Sequence, residues 1–128
     1  HFWALSEHLG ASRLADVLPS AVTSGRALDR GNPTPENILR DFRSICPHIW
    51  SRVLQADSRG GSRRRKLEVL NLWRNAIAHH DFSRVGKSHD ELSLSTVRVW
   101  RRACSGLAVN LDAAVANALH QLVGRLPW

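Results

Sequence analysis

The sequence predicts an all-α domain, an up-and-down bundle of four or five helices closed by a long C-terminal helix. Apolar residues recur at spacings of three and four over long stretches, the signature of helices with one buried stripe. Strong helix-start signals stand between short clusters of Gly, Pro, Ser and Asp, which mark the connections. An apolar content of 43% with five Trp in 128 residues supplies a core for one domain without staples.

Taken in order, Phe2, Leu5 and Leu9 predict a first helix from His1 to about Val17, with a break plausible at Gly10. Pro19 to Pro33 reads mostly as loop, its breakers concentrated in SGRALDRGNP. Thr34 is a good N-cap with Pro35 at the first helical position, so a helix is expected from there to about Cys46. Pro47 restarts a short helix through about Ala56 that buries Ile49, Trp50, Val53 and Leu54. DSRGGS (57–62) is then a flexible loop whose Ser62 caps the next helix, which ends near His79 or His80. After a polar connection from Asp81 to Leu92, the last helix runs from Ser93 or Ser95 to about Gly124. Its seam is Val97, Trp100, Cys104, Leu107, Leu111, Ala114 and Ala118. About thirty residues make a rod of about 45 Å, expected to bend at Gly106 or to project an end into a partner. The helix before it is its expected antiparallel neighbour.

No apolar run approaches the roughly 20 residues that cross a bilayer, so no membrane association is expected. A chain that begins at His1 and contains no Met reads as a processed piece of something longer, so a missing leader says nothing about the parent. Cys46 and Cys104 sit in helical apolar patterns and read as reduced core residues, which points to the cytoplasm. The net charge of +7 points to a polyanionic partner, most simply nucleic acid. One basic cluster is Arg59, Arg63, Arg64, Arg65 and Lys66; a second is Arg98, Arg101 and Arg102. The first lies at a helix start, where the macrodipole disfavours cations, and phosphates of RNA would offset that cost.

The chemistry-bearing stretch is NLWRNAIAHHDF (71–82). At 100° per residue, Val69, Leu70, Trp73, Ala76 and Ile77 share one arc of about 120°, the expected core stripe. Asn71, Arg74, Asn75, Ala78 and His79 span about 140° on the other side. That face offers a guanidinium, two amides and an imidazole around a small Ala, groups that phosphodiester chemistry uses. His80 falls about 20° from Trp73 on the same wheel and reads as a packed or capping residue.

An Arg, a polar residue and a His four to six positions beyond the Arg, near the end of a bundle helix, resemble the signature of the HEPN superfamily. The match is Arg74, Asn75 and His79 within RNAIAH. Upstream, RGNPTPENILRDF (Arg30 to Phe42) resembles the segment before the second bundle helix in HEPN domains of the RiboL-PSP type. The similarity covers about residues 25 to 120. It implies a metal-independent endoribonuclease that needs no cofactor, of the kind found in toxin and phage-defence systems. It also implies a homodimer that pairs two sets of Arg and His through the motif helix, and a possible antitoxin or regulatory protein. Members modified by a partner nucleotidyltransferase carry a Tyr two residues after the motif His; here Asp81 stands there and the chain has no Tyr.

RNA carries its own nucleophile, the 2′-hydroxyl. Cleavage needs that group deprotonated, the leaving 5′-oxygen protonated, and the added charge at phosphorus stabilised. Arg74 suits the last task through its planar fork, and His79 suits proton transfer. Asn75 can orient the imidazole or donate to phosphate, and Asn71 extends the row. Together with Arg63, Arg64, Arg65 and Lys66, Asn71 is expected to bind RNA. In-line displacement needs proton transfer on both sides of phosphorus, which two chains related by a twofold supply more easily than one. A metal site drawn from His79, His80, Asp81, His89, Asp90, Glu91 and Cys46 is the chemical rival, but no recognised ligand spacing is present. Two non-catalytic readings stand beside the nuclease: a HEPN-like module that binds RNA or protein, and a helical adaptor that assembles through the last helix.

Overall fold

The computed structural model describes residues 25–86 and 92–124, and within them the chain is all-helical. The expected first helix lies outside the described residues. Five helices follow one another: α1 (Ala27–Arg30), α2 (Pro35–Phe42), α3 (Ile49–Ala56), α4 (Gly60–His79) and α5 (Leu94–Val123).

The single turn α1 stands within the stretch that the sequence reads as mostly loop. A distant carboxylate nucleates it: Asp41 accepts from the backbone N–H of Ala27 at 2.7 Å and of Leu28 at 2.9 Å. Arg26 adds a two-pronged contact to Asp29, with both bonds at 3.0 Å. Burial pulls the Asp41 carboxyl upward, but the N–H groups of Leu28 and Ala27, with Arg40 and Arg26, outweigh it and the net direction is down. In α2, Thr34 Oγ1 accepts from Asn37 N at 3.2 Å, with Pro35 in the first turn as expected. The helix ends at Phe42 rather than Cys46, because Ile45 and Cys46 both donate to the Phe42 carbonyl in a closing turn. Ile49, Trp50 and Val53 of α3 are buried, whereas Leu54 is 43% exposed.

Helix α4 begins two residues before Ser62. Asp57 turns the chain by accepting from Arg59 N at 2.9 Å, and its carbonyl accepts from Gly60 N at 2.8 Å. A Cβ on Gly60 would stand 3.0 Å from the Val53 carbonyl, so a side chain here would require the end of α3 to give by a few tenths of an ångström. Ser62 is no cap; its hydroxyl accepts from Lys66 Nζ at 2.8 Å.

α5 matches its expected bounds. Ser93 Oγ accepts from Thr96 N at 3.2 Å, and Gly124 closes the helix at φ 74°. Trp100, Leu107, Ala114 and Ala118 of the predicted seam are buried, while Val97 is 43% exposed. Asn110 of α5 donates at 2.6 Å to Asp57, just before α4, and Gly106, one turn earlier in α5, lies against Arg63, one turn into α4, so the two helices run antiparallel. The core joins Ile38, Cys46, Ile49, Trp50, Val53, Leu67, Leu107, Ala114 and Ala118. Trp50 Nε1 donates to the Pro35 carbonyl at 2.9 Å within it. Both cysteines are free thiols, pushed up by burial. No helix among the described residues is long and apolar enough to cross a membrane.

Candidate active site

The one-stripe wheel fails on α4, because this helix packs on more than one side, against α2 and α3 and also against α5. Leu67 and Asn71, about 40° apart on the wheel, are buried, and so is Ala76, about 140° from Asn71. Ile77, expected in the core, is 50% exposed.

Asn71 therefore does not stand on an open face. It is 6% exposed, and its Nδ2 donates to the Pro33 carbonyl at 3.1 Å, tying the 30–34 loop to the helix. One turn on, the same loop meets the motif. The carboxamide of Asn32 accepts from Arg74 Nη1 through its oxygen and donates to Asn75 Oδ1 at 2.5 Å through its nitrogen. Asn32 is held in turn by its own backbone carbonyl, which accepts from Asn37 Nδ2 at 2.8 Å and from Thr34 N at 2.7 Å. Three side chains of α4 thus grip one short loop, and two of them are motif residues.

Arg74 and Asn75 are exposed, and both keep N–H groups for an anion. His79, in the last turn, is also exposed, and its imidazole has no hydrogen bond to the described residues. It follows Asn75 by one turn, a rise of about 6 Å. Arg74, Asn75 and His79 share the C-terminal end of α4, but only the first two are linked to each other, through Asn32.

His80 fills the capping half of its expected role and not the packed half. It takes the left-handed conformation at φ 52° and is exposed. The Asp81 N–H bonds the Ala76 carbonyl at 3.1 Å and the His80 N–H bonds the Ile77 carbonyl at 3.5 Å, the paired bonds of a Schellman ending. Phe82 then comes back against Trp73, edge to face at 6.4 Å between centroids. The Ser83 hydroxyl and N–H hold the Asp81 carboxyl below its ordinary range, with weaker help from Arg84 and His79. An ionised carboxylate is thus kept beside the motif histidine.

The basic cluster divides. Arg63 turns inward, where its Nη1 meets Asp57 Oδ2 at 2.5 Å and its guanidinium lies against Gly106. Arg64 lies 5.0 Å over the Trp50 ring and pairs with Glu68 at 3.4 Å. Lys66 holds Ser62. Arg65 is exposed without an ion pair among the described residues. Arg63 thus has a structural partner, and Arg65 is the most open of the four cations expected to bind RNA. No three His, Cys, Asp or Glu side chains gather as a metal-ligand set among the described residues; His89, Asp90 and Glu91 lie outside them.

Sequence reasoning missed Asn32. An Asn between Gly and Pro reads as a turn residue, and its reach across 42 positions to Arg74 has no local signature. Comparison of the chain with protein-family models, curated proteins and solved structures gives no match.

Proposed function

We propose that this chain is a HEPN-like, metal-independent endoribonuclease, with Arg74 and His79 as its catalytic pair and Asn75 beside them. The observation that carries the reading is the exposure of all three on the last turns of one helix, with Asn32 setting the position of Arg74 and Asn75. In this mechanism the 2′-oxygen attacks phosphorus and the 5′-oxygen leaves. A 2′,3′-cyclic phosphate and a 5′-hydroxyl result. Arg74 neutralises the charge added at phosphorus, and His79 moves one of the two protons.

The second proton-transfer group comes from another copy, which makes the active form a homodimer with two motif ends facing one cleft. Ile77, Phe82, Leu92 and Leu94, each between 44% and 67% exposed, stand at that same end and give such a dimer apolar surface to bury. A toxin or phage-defence role, with an antitoxin or regulatory protein to restrain it, belongs to this proposal, as does a cytoplasmic setting.

The test is cleavage of single-stranded RNA in EDTA with analysis of the ends, beside a His79→Ala control and light scattering. Cyclic phosphate ends from a dimer, lost in His79→Ala, are expected. Strict dependence on added metal, or 5′-phosphate ends, would sink the mechanism. One observation favours a second reading, a non-catalytic RNA- or protein-binding module: Arg74 and Asn75 already serve to hold the Asn32 loop. A folded dimer that binds RNA and never cuts it would select that reading.

A further inference from the structure

Helix α5 carries a second basic feature that the motif does not use. Arg98, Arg101 and Arg102 lie within about 60° either side of one direction, and Ser105 continues the row one turn later. The buried residues of the same stretch, Trp100, Ala103 and Leu107, lie on the opposite side. All three arginines are exposed, and none pairs with a carboxylate among the described residues. With Ser105 they line a recess of about 410 Å³.

Nothing among the described residues offsets this charge. Like charges three and four residues apart repel each other along a helix. No carboxylate of the described residues supplies the opposite charge, which leaves the row available to an anion from outside.

We infer that the outward face of α5 formed by Arg98, Arg101, Arg102 and Ser105 is a binding site for the phosphodiester backbone of single-stranded RNA. A guanidinium fork accepts two phosphate oxygens at once, and the Ser105 hydroxyl supplies a further donor. Arg98 and Arg102 stand one turn apart, a rise of about 6 Å, so the row can hold more than one phosphate of a strand. An acidic protein is the less suitable occupant. Protein interfaces are built around apolar and aromatic anchors with charge at the rim, and here the centre of the patch is charge. The inference shares with the proposed function only the identity of the ligand. It concerns binding and requires no cleavage.

The test measures fluorescence anisotropy of a labelled oligouridylate of about 12 nucleotides across a salt series, in a His79→Ala background so that the probe stays intact. The variant R98A/R101A/R102A is compared with R26A/R43A/R52A, which removes the same charge away from both this face and the 30–34 loop. Three lost contacts should weaken binding at least tenfold and flatten the slope of log affinity against log salt by about 2. The control triple should change the slope little. R98K/R101K/R102K should keep the slope while losing several-fold in affinity, because charge remains and the fork does not; it also covers the case of a poorly folded alanine variant. Unchanged affinity, equal weakening by both alanine triples, or displacement of the RNA by an equal concentration of polyglutamate would each overturn the inference. Because the probe is never cut, loss of the nuclease reading would leave this result standing, and its failure would leave cleavage at the motif untouched.

Discussion

Gly106→Ala should change sign with its surroundings. An ideal Cβ on Gly106 would lie 2.5 Å from Arg63 Cζ, 2.7 Å from Nη1 and 2.8 Å from Nε. Carbon atoms rest at about 3.5–4.0 Å, so the guanidinium must retreat by about 1 Å. Its Nη1 now sits 2.5 Å from Asp57 Oδ2, and that retreat takes the contact past the ordinary hydrogen-bond limit of about 3.2 Å. Against this, Ala is favoured over Gly inside a helix by about 1 kcal/mol. A half-buried charged hydrogen bond of Arg63 outweighs that gain, for a net loss on the order of 1 kcal/mol. In an Arg63→Ala background the obstacle is gone, and Gly106→Ala should stabilise by about 1 kcal/mol.

The coupling between the two sites is then about 2 kcal/mol, well outside the range for independent positions. Thermal and urea unfolding of the four proteins, followed by far-ultraviolet circular dichroism, would measure it. For a domain of this size the midpoint should fall by about 4 °C in one background and rise by about 4 °C in the other. Equal stabilisation in both backgrounds would refute the reasoning. Arg63 would then not be lodged on Gly106, and it would rejoin the surface cations available to RNA.

Three other outcomes follow from the same contacts. His79→Ala should abolish cleavage without changing the melting temperature, whereas His80→Gly should keep activity and be neutral to about 0.5 kcal/mol more stable, because glycine removes the left-handed strain but loosens the unfolded chain; loss of activity in a folded His80→Gly protein, measured per folded molecule, would point to the wrong imidazole. Trp50→Phe should cost about 1 kcal/mol more than Trp100→Phe in chemical denaturation, since Trp50 Nε1 bonds the Pro35 carbonyl and Trp100 Nε1 is buried with no partner. Stability should fall as pH drops below about 4: Asp41, Asp57 and Asp81 all have carboxyls lowered by folding, so their contribution is present above the unfolded value of about 3.9 and is lost as each protonates. Asp41→Asn should be less stable at neutral pH and show a shallower acid limb in the same unfolding assay.

Helix α5 and the N-terminus of α2 could be read from sequence because their determinants are local. Ser93 and Thr34 cap within three residues of themselves, and the α5 seam from Cys104 to Ala118 faces a single core. α4 could be read only in part. Its bounds held at the C-terminal end, but a helix packed on several sides has no single apolar arc for a wheel to find. A polar side chain is ordinarily exposed, so the sequence groups Asn71 with the open residues, and its burial is offset by a carbonyl 38 positions away. Arg63 reads as an RNA cation for the same reason, whereas its pairing with Asp57 and its fit against Gly106 depend on residues distant in sequence.

The Asn32 contact changes what the motif does in the resting protein. A guanidinium on a flexible stem loses rotamer entropy whenever it is fixed on a phosphate, and an anchor already holding one of its N–H groups removes part of that cost. Asn32 can do this because it is itself fixed, its carbonyl held by Asn37 and Thr34 at the start of α2. An amide is also a suitable anchor. It accepts from Arg74 without carrying charge, so the positive potential that a phosphate would meet is left in place, as it would not be with Asp at position 32. The same carboxamide engages the Asn75 oxygen and so leaves the Asn75 NH₂ group as the donor. Two segments 42 residues apart are therefore one unit at this end of the bundle. The 30–34 loop belongs with the motif helix in any account of how this site meets an anion.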